Sequence, residues 1–117
     1  MAIRLFRFNA SHAKPIQTYA STGAQSCELA HGNGESHSYV VHMEPGGIIG
    51  PHPAGFDQVF LVVKGSGWVA GNDGIRHNIE EESGAFIPHG ENHSKGSTTG
   101  MVAIMLQASR FNLVQQS

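Results

Sequence analysis

The chain carries little charge. Only 14% of its 117 residues are Asp, Glu, Lys or Arg, where a soluble domain usually has about a quarter. Lys and Arg total 7, the formal net charge is −2, and no run of basic residues occurs. Binding a phosphate backbone takes clustered cations, so no nucleic-acid partner is expected. Cysteine is nearly absent: Cys27 is the sole one, cannot form an internal disulfide and fits a reducing compartment. No segment approaches the roughly 20 apolar residues that span a bilayer, so no membrane partner is expected. In the N-terminal MAIRLFRFNA, charges interrupt the apolar residues, which indicates a first strand rather than a secretory signal. A cytoplasmic protein is the resulting expectation.

Glycine is what the chain has in excess, at 15 residues. Together with many β-branched residues and few charges, this points to a turn-rich all-β domain. The length fits a single domain over residues 1–117. Period-2 alternation marks a strand at 3–8 (IRLFRF). Residues 9–36 are polar and read as an irregular N-terminal segment, with room for one short helix. Strand signals resume over 37–43, and again at 59–63 (VFLVV), 68–70, 75–79, 85–87 and 100–106 (GMVAIML). Gly71-Asn72-Asp73-Gly74 is a strong hairpin signal. Many short strands with Gly-rich turns favour a sandwich or barrel over a parallel sheet. VFLVV and MVAIML are apolar at consecutive positions, so both faces need cover. A second sheet could supply it, and so could a homodimer.

Two segments carry the chemistry. Residues 46–65 read GGIIGPHPAGFDQVFLVVKG. Gly46 is followed by five residues and His52, Gln58 comes next, and Gly65 closes the run. Ile87-Pro88-His89-Gly90-Glu91-Asn92-His93 lies within 82–97. The first segment resembles the first cupin motif, Gly, five residues, His-x-His, three or four residues, Glu, six residues, Gly. The second resembles the other cupin motif, Pro-x-Gly-x-x-His. Both in order, correctly spaced, imply the cupin double-stranded β-helix, a jelly-roll barrel.

The resemblance implies a metal site made of two His and one Glu from the first motif and one His from the second. This chain departs from it: Ala54 replaces the second His, Gln58 the Glu, Glu82 the leading Gly of the second motif, and Ser97 an Asn that often follows. The implied ligands are His52, His93 and Gln58, with Glu91 a candidate carboxylate two residues before His93. A divalent Zn, Mn, Fe, Ni or Cu would suit imidazole donors. Without metal, a His–Gln–His cluster could satisfy itself by hydrogen bonds or hold a polar ligand. Period-2 directions from Gln58 put Phe60 and Val62 on the pocket face, and Phe86 is expected to join them. His12, His31 and His37 read as solvated, and His77 as exposed.

Three functions fit these residues: a metal-dependent enzyme acting on a small molecule, a non-catalytic module holding a small-molecule ligand, and a partner-binding cupin with a vestigial pocket. The fold hosts many unrelated functions, so the site must decide among them.

Overall fold

The computed structural model describes residues 2–114. Within them the chain runs β1 (Arg4–Arg7), a 3-10 turn (Ala10–His12), β2 (Lys14–Pro15), β3 (Gln25–Ser26), β4 (Ala30–Met43), β5 (Ile48–Pro53), β6 (Asp57–Ala70), β7 (Arg76–Glu80), β8 (Ser83–Ile87), β9 (Asn92–Gly96) and β10 (Met101–Leu113). One sheet has the order β1-β8-β6-β10-β4. The C-terminal half of β6 leaves it and pairs instead with β7 and β9, and β9 pairs with β5. The strand pairs are antiparallel throughout. This is the jelly-roll arrangement of a double-stranded β-helix, in which two facing sheets share one long strand.

β6 merges the two strands expected at 59–63 and 68–70. Gly65-Ser66-Gly67 therefore forms no turn but the crossing between sheets. Gly65 makes the crossing possible: its φ is 79°, and a methyl group there would collide with the Gly100 carbonyl oxygen. An extra residue on β6 opposite the Val102–Ala103 step bends the strand at the same place. β4 starts at Ala30, inside the segment expected to be irregular. Its polar, Gly-containing N-terminal part is held by pairing with residues 110–113 of β10 rather than by hydrophobic alternation, a long-range constraint that local pattern does not carry. β5 and β9 were not anticipated as strands, although both motif histidines lie on them.

Pleating divides the apolar residues between two faces. Phe60, Val62, Ala85, Ile87, Met101, Ala103, Val69 and Ile79 pack in the interior between the sheets. Val59, Leu61 and Phe86 form a second cluster on the outer face with Phe6. The chain covers much of that face itself, because Phe8, Leu29, Phe111 and Leu113 pack onto it.

Glu82 explains the glycine usual at its position. Its φ is 65°, a left-handed conformation that costs a residue with a side chain about 1–2 kcal/mol. The backbone is locked there: Glu82 N–H donates to Val62 O at 3.0 Å, and its carbonyl accepts from Phe8 N–H at 2.8 Å. Glu82→Gly is expected to raise the melting temperature by a few degrees in a thermal scan. An unchanged or lowered value would mean the conformation carries no strain.

Candidate functional site

β5 and β9 bring the two motif histidines together. His52 lies directly opposite His93 in the ladder, and their ring centroids are 4.5 Å apart with planes at 52°. His52 is exposed, whereas His93 is 1% exposed, so the pair leads from the surface into the barrel. His52 Nδ1–H donates to Gly50 O at 2.8 Å, which leaves its Nε2 with the lone pair.

Alternation along β9 sends one more side chain inward. Lys95, at 1% exposure, is as buried as His93. Its Nζ lies 3.1 Å from His93 Nδ1 and 5.1 Å from the centre of the Phe60 ring. Sequence reasoning missed this residue, although period-2 spacing from His93 already assigns both to one face. Burial lowers the Lys95 amine from 10.5 to about 7. His93 is lowered from 6.5 to about 3, by burial first, then by Lys95 and His52. Both groups pay for losing water, and no carboxylate is hydrogen-bonded or ion-paired to either among the described residues.

An ammonium can only donate, so protonated Lys95 fixes His93 Nδ1 as the acceptor and puts the ring hydrogen on Nε2. That Nε2 is buried without a hydrogen-bond partner among the described residues, and so is Gln58 Oε1. Gln58 itself is buried, on the interior face of β6. The barrel thus presents a donor, an acceptor and a titratable amine, none of them saturated.

The other expected site residues divide. Phe60 and Val62 point inward as expected. Phe86 does not: it pairs with Val59, one step out of phase with Phe60, and so packs on the outer face under the Arg4 guanidinium, 5.0 Å from its ring centre. Ala85 and Ile87 take the inward places. Glu91 is turned to the β6–β7 hairpin, where Oε2 accepts from Asn72 N–H at 3.0 Å. Its backbone geometry explains this: Glu91 lies before β9, in a turn closed by its N–H to Pro88 O, not in the extended run that would align it with His93. Ser97 is structural, its hydroxyl donating to Ser66 O at 2.6 Å and accepting from Gly100 N–H at 2.8 Å. His77 is half-buried rather than exposed. His37 sits on the inward face of β4, in line with Val41 and Met43.

This donor set does not fit a divalent ion. Among the described residues no group of three or more His, Cys, Asp or Glu is placed to hold one. The methyl of Ala54 packs into the interior cluster, and Gln58 offers a neutral amide where a carboxylate would add charge. A first-row ion wants at least three good protein donors, and here it would also face a buried amine bonded to one of its two imidazoles.

No family model matches the chain, and no curated protein sequence matches it. Solved structures do. A cupin 2 domain-containing protein from Halorhodospira halophila is 16% identical, with 99% of this chain and 82% of that one covered and a TM-score of 0.63. An uncharacterized conserved protein with a double-stranded β-helix domain from Klebsiella pneumoniae is 18% identical, covers 91% and 93%, and gives 0.59. A protein from Neisseria meningitidis is 25% identical over 70% of this chain and 82% of that one, with a TM-score of 0.57. The chain has the cupin fold.

Burial of Lys95 makes stability depend on pH with a definite sign. Between about 7 and 10.5 the unfolded chain holds a proton that the folded one releases, so this group destabilises the fold increasingly as pH drops across that window. Lys95→Met is expected to melt at a higher temperature than the parent at pH 7, with the gap closing towards pH 10.5. A gap that is absent at pH 7, or the same at both values, would contradict the buried amine.

Proposed function

We propose that this cupin binds a small organic acid inside the barrel without a divalent metal, through Lys95, His93 and Gln58, with His52 at the entrance. The observation that carries the reading is the buried amine of Lys95 against His93 Nδ1. A carboxylate supplies the charge that this amine lacks, an oxygen elsewhere on a larger acid can accept from His93 Nε2–H at the far edge of the ring, and a hydroxyl or N–H on the ligand can donate to Gln58 Oε1. Buried charge is tolerated when paired and hydrogen-bonded, so an anion offsets the cost of burying this amine. The reading needs no metal chemistry and makes the pocket a binding module.

The chain is further proposed to act as a homodimer, assembled through the outer face of β4. Among the described residues β4 is a sheet edge paired only with β10, and Val40, at 61% exposure, lies there in one row with Ile104 and Leu61. A second copy can cover that apolar row and the edge together. Among the described residues no helix is long and apolar enough to cross a membrane. One cysteine and few cations support a cytoplasmic protein without nucleic-acid or membrane partners.

Elemental analysis of untagged protein loaded with Zn, Mn, Fe, Ni and Cu and then dialysed is expected to show far less than one metal per chain. Calorimetric titration with acetate and lactate should show binding that tightens as pH falls through about 7, since the complex holds a proton on Lys95, and Lys95→Met should abolish it. Sedimentation of the same sample should give the mass of two chains. One tightly held metal per chain that is lost in His52→Ala, or acids that bind Lys95→Met as well as the parent, would overturn the reading.

A further inference from the structure

We infer that the mouth of the barrel is a subsite for a flat aromatic ring, so that the acid bound is a small aryl carboxylate. The inference rests on the acid-binding reading and names its ligand class.

The register places the subsite. On β4, Met43 and Val41 pack into the interior, and alternation gives Tyr39 and His37 the same face. Tyr39 lies opposite Met105, which lies opposite Phe60; His37 lies opposite Gln107, which lies opposite Gln58. Two neighbouring rows of one sheet face therefore run from the acid-binding residues out to an aromatic pair on the edge strand. His37 and Tyr39 are stacked, with planes 19° apart and centroids at 6.4 Å. Phe56, from the connection between β5 and β6, stands edge-on to His37 at 5.2 Å. The His37 ring is held by Glu35, whose Oε2 is 2.6 Å from its Nε2.

These rings do not close over one another. Tyr39 is 48% exposed, an unusual state for a tyrosine whose row continues into a sealed core. A shelf of near-parallel rings is suited to offset stacking or edge contact with another ring at about 4.5–7 Å. Strands lie about 4.8 Å apart, so two strand spacings separate Phe60 from Tyr39, roughly 10 Å at the backbone. A carboxylate and one ring, joined directly or through one carbon, bridge that distance. Charge selects the orientation: Lys95 draws the carboxylate inward, and the Glu35 carboxylate at the mouth repels a second acidic group there. The ligand is thus acidic at one end and neutral and aromatic at the other.

The test compares phenylacetate, cyclohexylacetate and acetate by calorimetric titration of the full chain. Phenylacetate should bind about fivefold tighter than cyclohexylacetate, the size expected of a ring–ring contact beyond simple burial. Tyr39→Leu, which keeps an apolar side chain on the strand, should remove that preference and leave acetate binding unchanged, and Tyr39→Phe should retain it. Equal affinity for the two ring acids in the parent protein would overturn the aromatic subsite while leaving acid binding intact. So would an unchanged preference in Tyr39→Leu. If no acid binds at all, the acid-binding reading falls and this one with it.

Discussion

An amine buried in a barrel of about a hundred residues must be neutral, paired or costly, and among the described residues Lys95 meets that constraint with the His93 imidazole and the face of the Phe60 ring, without a carboxylate. Three of the buried polar side chains, Gln58, His93 and Lys95, face the same interior. His93 supplies the hydrogen bond to Lys95, His52 connects it to the surface, and Gln58 faces the interior from the sheet opposite β9. Around them the packing is apolar and tight, with Phe60, Val62, Val69, Ala103 and Ile87 all at 0% exposure. A low-dielectric wall of this kind strengthens any charge pair formed against it and penalises an unpaired charge. An anion paired with the Lys95 ammonium would be favoured there over a second cation.

The fold supplies these side chains through β6 and β9. Because β6 crosses between the sheets at Gly65, its first half puts Gln58 and Phe60 on one wall, while its second half carries β9, with His93 and Lys95, on the other. The same framework in a chain with a second imidazole at position 54 and a carboxylate at 58 would present a different donor set without any change in backbone. The proposed function follows from four side chains and not from the architecture.

Much of this was legible in the sequence, and the exceptions have physical causes. The motif spacing placed His52, Gln58 and His93 in one barrel, because glycines, prolines and turns fix where those strands start. Alternation placed Phe60 and Val62 correctly, since it needs only a strand and a phase. Phe86 went astray because phase on β8 is set by its pairing with β6, which no local pattern records. Glu91 went astray because the chain there is turned and not extended. Lys95 was overlooked through composition, as lysine is rarely buried, although its spacing from His93 already indicated the face. The N-terminal half of β4 was invisible for the reason that it depends on residues nearly eighty positions away.

Lys95 is buried deeply enough inside the barrel to give up its proton near neutral pH rather than near 10.5. Carbon- and nitrogen-detected NMR titration of the Lys95 side chain, assigned through Lys95→Met, measures this directly in the intact chain. The expected midpoint is near 7. A midpoint near the ordinary 10.5 would show that the amine reaches water, and the acid-binding site built on it would not stand.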